Sequence, residues 1–282
     1  MDLDDINDLY NSTEFDYKFF WSNTTMHYGF DSYLNFRSLE NSNIYYMDRA
    51  DCKETDDILV VGCGRGGLTN FLAEKTDAKL TGLDLNENHV EEARELVQSN
   101  GNEDVEIVQG DFHDLPFEDG SFDRVIAVET VSHSDSKSEF TEEAYRVLRE
   151  DGKILVSDGW LTGETYNLEN PDTENYSERE EKLIQDLLAG WALPEGKNHE
   201  EFAETLNETG FKDVDMENHL DMMKPSIRKV YLLGIIGVPL MKIGKKLGLR
   251  NEWSLKQAKT LRAQYHVFKE EIGVHADFTA RK

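Results

Sequence analysis

The chain has 282 residues, with 30 Lys+Arg against 57 Asp+Glu and a formal net charge of -27. It is long enough for a substantial core, and with 38 % hydrophobic and 31 % charged residues that core lies under a heavily solvated acidic skin. Such a skin repels phosphates, which excludes binding of nucleic acid over a broad surface; it suits an ordinary solvated exterior or adaptation to high internal salt, where carboxylate repulsion is screened.

The start, "MDLDDINDLY", is acidic and carries no basic-then-apolar targeting pattern. No apolar run reaches the roughly 18 residues that span a bilayer. The two cysteines, Cys52 and Cys63, imply a reducing, cytoplasmic setting without a structural disulfide. No Cys/His cluster has metal-ligand spacing, so no metal site is expected. Charge is unevenly spread. Residues 222–282 hold 13 Lys+Arg and 4 Asp+Glu, whereas the preceding 221 residues hold 17 and 53.

In chain order, the first fifty or so residues are aromatic and polar, and read as short helices with a loop over 23–30. From Asp57 the pattern changes. "DILVVGCGRGG" is a strand ending in a glycine loop, "LTNFLAEKT" a helix and "AKLTGLDLN" a second strand. "ENHVEEARELVQSNG" is a helix closed by Gly101, followed by the strand "VEIVQGD". "FDRVIAVET" is a strand, "SEFTEEAYRVLRED" a helix stopped by Gly152, and "KILVSDGW" a strand. Strands alternating with amphipathic helices predict a parallel α/β sheet with helices on both faces. After Trp160 comes an insertion with one helix, then the helix "NHEEFAETLNETGF" and the strand "KDVDMENHL". A greasy, basic segment, "RKVYLLGIIGVPLMKIGKKLGLR" (228–250), leads to the helix "SLKQAKTLRAQYHVFKEE" and a closing strand, "VHADFTARK".

In "VVGCGRGG", Gly62, Gly64 and Gly66 let the backbone turn tightly and admit a ligand close to the main chain. The following helix offers free N–H groups. With Gly67 the string also satisfies the dinucleotide pattern GxGxxG, so the loop alone leaves the cofactor open. Cys63, between two of these glycines, reads as a small filler rather than a nucleophile. Asp84 ends the second strand where an acid would bond ribose hydroxyls.

The third element, "VQGDFHDLPFEDGSFDRVIAVE", places Asp111 after a strand. Together these residues resemble the class I S-adenosylmethionine-dependent methyltransferases. The resemblance is strong from Ile58 to Trp160. "MHYGF", "AVETVSHSDSKSEFTEEAYRVL", "SDGWLTGETYNLEN", "LLAGWALP" and "FTARK" are further similar to the sterol and tocopherol C-methyltransferases, and more loosely to sarcosine/dimethylglycine N-methyltransferases. The family's usual Pro-Gly after the helix is "EDG" here.

The resemblance implies a Rossmann-like, seven-stranded, mostly parallel sheet with an antiparallel last strand and a helical cap. It also implies a division into an N-terminal lid segment (1–53), a core (54–221), a cap (222–272) and a final core strand (273–282). The co-substrate would be S-adenosyl-L-methionine, with S-adenosyl-L-homocysteine as product. Asp111 would receive the adenine amino group and Phe112 flank the ring. Tyr28, Leu85 and Val128 join Gly62, Cys63, Gly64, Gly66, Asp84 and Glu129 as expected cofactor contacts. Tyr28, with Trp21 and His27, lies in the segment that closes over the cofactor in the family, and aromatic faces attract sulfonium charge.

Glu129 and His133 end the fourth strand, at the sheet edge facing the ligand crevice. Glu129 is a candidate to steady a developing cation, and His133 to take a proton or to make a structural hydrogen bond. "FHD" (111 and 113–114 carrying the polar groups) reads as a solvated loop. The expected partner is a small-molecule acceptor, apolar or isoprenoid-like. Two rivals stand: an N-methyltransferase of a small amine making an osmolyte, and a nicotinamide-dependent oxidoreductase, against which the Asp111 segment counts. Residues 228–250 are expected to cap the acceptor site, with Leu, Ile and Val lining it and the basic residues facing outward; a basic amphipathic segment can also rest on an anionic membrane surface.

Overall fold

The computed structural model describes Thr24, residues 27–30, 38–171, 175–247 and 252–282. Trp21 and residues 248–250 lie outside them. Five strands, β1 (Asp57–Val61), β2 (Lys79–Asp84), β3 (Glu106–Gln109), β4 (Phe122–Val128) and β5 (Leu148–Leu161), run parallel. Between them lie α2 (Gly67–Lys75), α3 (Glu87–Ser99) and α4 (Lys137–Val147), after an N-terminal α1 (Ser38–Arg49). A two-residue pair, β6 (Tyr166–Asn167) with β7 (Glu195–Gly196), brackets α5 (Glu178–Trp191). Then come α6 (His199–Thr209), β8 (Lys212–Asn218), α7 (Leu220–Lys246), α8 (Glu252–Lys269) and β9 (Gly273–Arg281).

The main sheet has the order β3-β2-β1-β4-β5-β9-β8. The final strand inserts antiparallel to both β5 and β8. This is the seven-stranded, mostly parallel sheet expected from sequence.

The strands are apolar on both faces because helices cover both. Alternate residues sort accordingly. Ile58, Val60, Ile126 and Val128 face a core completed by α1, α2, α3, α5, α7 and α8. Leu59, Val61, Val125 and Ala127 face one completed by α4 and α6. Helix starts follow local chemistry: Asn86, Ser136, Ser177 and Asn198 each accept a backbone N–H of the first turn. Among the described residues no helix is long and apolar enough to cross a membrane.

One boundary differs from expectation. The helix α4 stops at Val147, not at Gly152, because Leu148 is already extended and pairs with Phe122. Asp151, with φ 63°, and Gly152 instead form the irregularity before β5 pairs regularly with β4. Gly234, Gly237 and Pro239 do not break the basic segment, which is one helix through Lys246. Gly234 lets it approach α8: a Cβ there would meet Arg262 Cγ at 2.9 Å and the Ala258 carbonyl at 3.1 Å.

The same close approach joins α5 to α8. A Cβ on Gly190 would lie 2.7 Å from Thr260 Cβ and 3.0 Å from the Lys256 carbonyl. The substitution Gly190→Ala should therefore lower unfolding free energy by about 1–3 kcal/mol through overpacking. Urea unfolding checks this; an unchanged or higher midpoint would mean that the two helices separate at no cost.

Candidate active site

The C-terminal edge of β1 runs directly into the glycine loop. Gly62, Gly64 and Gly66 have φ of 61°, 54° and 82°, all left-handed, which glycine adopts without a Cβ penalty. Two of them also answer to packing. A Cβ on Gly62 would lie 2.8 Å from Thr130 Cβ, and one on Gly66 would lie 3.0 Å from Ala93 Cβ. At these two positions close approach by the protein itself already requires glycine. Cys63 is buried, and burial, with the charge of Asp84, pushes its thiol well up. A thiol held protonated is a poor nucleophile, as its reading as a filler expects.

Asp84, at the end of β2, ties this loop to the sheet. Its Oδ2 accepts the Gly64 N–H at 2.8 Å and its Oδ1 accepts Asn86 N–H at 3.0 Å, with His89 Nδ1 3.3 Å away. Leu85 follows it, half-buried. At the end of β3, Asp111 Oδ1 accepts both the backbone N–H of His113 and its ring Nδ1–H, each at 2.9 Å. Ser134 Oγ lies 2.8 Å from His113 Nε2 and accepts the Ser136 N–H at 3.1 Å. The expected solvated loop is thus corrected at His113: a mostly buried imidazole bridges the ends of β3 and β4. Asp111 keeps a carboxylate about one-third exposed. Phe112 packs edge-on against Phe140, its ring centroid 5.5 Å away.

Val128 ends β4 and is buried. Glu129 follows with φ 50°, a conformation that costs a non-glycine residue about 1–3 kcal/mol and concentrates at functional sites. Its N–H donates to the Ser157 carbonyl at 2.7 Å. Its Oε1 accepts Tyr28 N–H at 2.9 Å and lies 3.5 Å from His275 Nε2. Tyr28 in turn donates its hydroxyl to Gln264 on α8 at 2.8 Å. His27 is buried, with Asn43 Oδ1 3.0 Å from Nε2.

Beside Glu129 a cavity opens between the sheet edge, α5 and α8. Its apolar wall includes Trp160, Leu187, Leu188, Trp191, Leu193 and Phe268, and its polar wall Tyr28, Glu129, His133, Lys137, Asp158 and His275. Burial, reinforced by the Lys137 charge, pushes His133 down to about 4, against a hydrogen bond to the backbone of Ala192. Lys137 is buried and lowered by the same desolvation, with Nζ 2.6 Å from the Ser134 carbonyl and 3.3 Å from Glu195. Asp158 is raised by burial although it accepts Ser132 and Gly159 N–H groups, each at 2.8 Å. Among the described residues no His/Cys/Asp/Glu group has metal-site geometry.

The glycine loop, Asp84, Asp111, Glu129 and His133 therefore converge on one edge of the sheet, and Tyr28 is brought to it from far away in sequence. Sequence reading did not find Lys137, Asp158, Gln264 or His275. His275 left a signal, as a titratable residue alternating with Asp277 in the closing strand.

Residues 228–250 correct an expectation. No described residue of this segment lines the cavity. Val230, Gly234 and Val238 are buried against the fold, while Leu232, Ile235, Ile236, Leu240 and Ile243 are exposed. The reason is rotational: α8 already occupies the cavity side, and the small residues of α7 face it.

Residues 59–156 match the family described as methyltransferase domain. The cyclopropane synthase MmaA2 of Mycobacterium tuberculosis superposes with a TM-score of 0.79 at 16 % identity, over 99 % of this chain and 98 % of that one. The fold is that of a class I methyltransferase. Phosphoethanolamine N-methyltransferase 2 of Haemonchus contortus, in complex with S-adenosyl-L-methionine, superposes with a TM-score of 0.71 at 20 % identity, over 98 % of this chain and 60 % of that one. In sequence, 24-methylenesterol C-methyltransferase 2 of Arabidopsis thaliana is 34 % identical over 169 residues, 60 % of this chain and 45 % of that protein. The chain spans about half the length of the curated relatives it matches.

His133 yields a prediction. Folding depresses its pKa from 6.5 to about 4, so the imidazole stays neutral in the folded protein above about pH 5. Protonation is easier in the unfolded chain, and the His133 contribution to stability falls as pH drops from 6.5 towards 4. Histidine NMR between pH 8 and 5 should show no titration of this ring, whereas a midpoint near 6.5 would place it in water.

Proposed function

We propose that this methyltransferase-fold protein uses S-adenosyl-L-methionine to methylate a small lipid-like acceptor, releasing S-adenosyl-L-homocysteine. The observation that carries the proposal is the meeting of two spaces at one residue. The loop of Gly62, Gly64 and Gly66 and the cavity walled by Trp191 and Phe268 adjoin at Glu129–Thr130, where the Thr130 hydroxyl reaches the Gly62 carbonyl at 3.4 Å.

The residues fit the cofactor. Three left-handed glycines at alternate positions leave a backbone concavity, and Asp111 Oδ2 makes no hydrogen bond among the described residues while its carboxylate is partly open. In this reading Asp84 and Leu85 hold the ribose side. Asp111 and Phe112 hold the adenine, and Gly62, Cys63, Gly64, Gly66, Val128 and Tyr28 border the rest. S-adenosyl-L-methionine supplies a methyl group already activated on a sulfonium.

The chain's own work is alignment and exclusion of water, which can supply on the order of 7–11 kcal/mol. Glu129 faces positive charge from the cavity edge. His133, neutral and buried, is in the form that accepts a proton. The lipid-like acceptor is supported by the leucines and aromatics of the cavity and by the sterol methyltransferase relative. The carboxylates of Glu129, Asp158 and Glu195 on the same cavity also suit an amine, the second reading.

Calorimetry with S-adenosyl-L-homocysteine and with NAD tests the cofactor. Binding of the first, weakened about 10–100-fold by Asp111→Ala, is expected; binding of NAD alone would overturn the reading. Labelled S-adenosyl-L-methionine with a cell extract split into lipid and aqueous fractions tests the acceptor, and label confined to water-soluble amines would select the second reading.

Residues 228–247 support a further element of this function: contact with an anionic membrane surface, bringing the cavity to its acceptor. Leu232, Ile235, Ile236, Leu240, Ile243 and Leu247 expose 43–66 % of their surface along one stripe of α7, at spacings of three and four residues. Lys229, Lys242, Lys245 and Lys246, also exposed, flank it. In a chain of net charge -27, this patch is a place where anionic lipid would meet cationic rather than anionic side chains. Cosedimentation with phosphatidylglycerol vesicles should occur and be lost in the Ile236→Glu, Leu240→Glu double variant. Equal binding by both proteins, or a concentration-dependent dimer that the variant abolishes, would assign the stripe elsewhere.

A further inference from the structure

Two carboxylates, Glu129 at the cavity and Asp277 within β9, flank a pair of buried histidines, His275 and His219. His275 Nε2 lies 3.5 Å from Glu129 Oε1, at the cavity. His275 Nδ1 lies 2.7 Å from His219 Nε2. His219 Nδ1, buried, faces Asp277 Oδ2 at 4.0 Å, and the Glu217 backbone carbonyl also lies beside this ring. Asp277 accepts the Tyr45 hydroxyl at 2.7 Å and Arg49 Nε at 3.0 Å. Arg49 reaches the exposed carboxylates of Asp215 and Glu217. The row therefore runs from the cavity to within one side chain of the surface.

The topology explains the alignment. His275 and Asp277 are two apart on β9 and share a face. His219 follows β8, and its N–H bonds the His275 carbonyl at 3.1 Å, which sets the two rings side by side. The groups around them are Glu129 from β4, Ser157 and Asp158 from β5, Asp277 from β9, and Tyr45, Tyr46 and Arg49 from α1. Phe30 and Phe268 close the apolar sides.

We propose that His275 and His219 form a proton relay that carries the proton released by methyl transfer from Glu129 to Asp277. The inference rests on the methyltransferase reading above. The neutral pair holds two protons on four nitrogens. One sits between the rings, so only one outer nitrogen is protonated at a time. At the start His275 Nδ1–H bonds His219 Nε2, and His219 Nδ1–H points at Asp277. A proton arriving on Glu129 passes to His275 Nε2. The inner proton shifts from His275 Nδ1 to His219 Nε2, and the His219 Nδ1 proton passes to Asp277. No ring ends charged and no other reactant is needed. Burial agrees with this neutral transfer: it pushes the His219 imidazolium down to about 2 and raises the Asp277 carboxyl. His275 and His219 do not touch the reacting atoms in this scheme; they act through Glu129.

The test uses the full chain labelled with nitrogen-15 histidine. At pH 7, with S-adenosyl-L-homocysteine added, the inner nitrogens of both rings should resonate between the protonated and unprotonated positions. Glu129→Gln should shift the His219 Nδ1 signal although it is a full ring away from residue 129. Fixed tautomers unmoved by Glu129→Gln would overturn the relay. With labelled S-adenosyl-L-methionine and whole-cell extract as acceptor source, His275→Gln and His219→Gln should each lower kcat about tenfold or more, with KM for the cofactor unchanged. Normal kcat in folded variants would equally overturn it. Failure of the wild-type protein to bind S-adenosyl-L-homocysteine would sink the methyltransferase reading instead, and the calorimetry reports that separately.

Discussion

The ends of β1 and β4 touch, and the rest of the site depends on that contact. Thr130 occupies the place where a Cβ on Gly62 would lie. The chain can turn out of β1 only because residue 62 is glycine, and out of β4 only by forcing Glu129 to φ 50°. This crossing brings the glycine loop and the cavity within one residue of each other. Glu129 does not relax because its backbone N–H is held by Ser157 and its carboxylate by Tyr28. Strain at one residue is thus offset by hydrogen bonds from two other elements.

Around that crossing the buried charges are arranged by hydrogen bonding rather than by solvent. Asp84 braces the loop, Asp111 is bridged through His113 to Ser134, and Asp158 accepts two backbone N–H groups. Each carboxylate accepts hydrogen bonds from protein groups that replace water. The result is a polar rim on an otherwise apolar crevice, the combination that small-molecule sites share. The helices α5 and α8 close the far side through glycine-mediated contact. They leave Trp191, Leu187 and Phe268 to give the cavity its apolar half.

The charge asymmetry has a structural counterpart. Basic residues of the last sixty positions concentrate on α7 and α8, which pack over one face of the sheet near its antiparallel end. Because Gly234 and Val238 turn inward, the larger apolar residues of α7 must turn outward among the lysines. A pattern that sequence reading assigned to the acceptor pocket belongs instead to the outside of the molecule. Periodicity shows that a helix has two unlike faces; which face is inside is decided by what packs against it.

Much of this protein is legible in the chain. The alternation of apolar runs and amphipathic segments determined the α/β class, and "VVGCGRGG", Asp84 and Asp111 marked the loop edge, because local periodicity and turn chemistry act over a few residues. Glu129 and His133 were found by position at a strand end. Tertiary structure alone decided that Tyr28 and Gln264 meet at the cavity, 236 residues apart. It alone paired His275 with His219, made His113 a bridge and turned α7 outward. These depend on strand register and helix rotation, set by long-range packing of the whole core, and no short window of sequence contains that information.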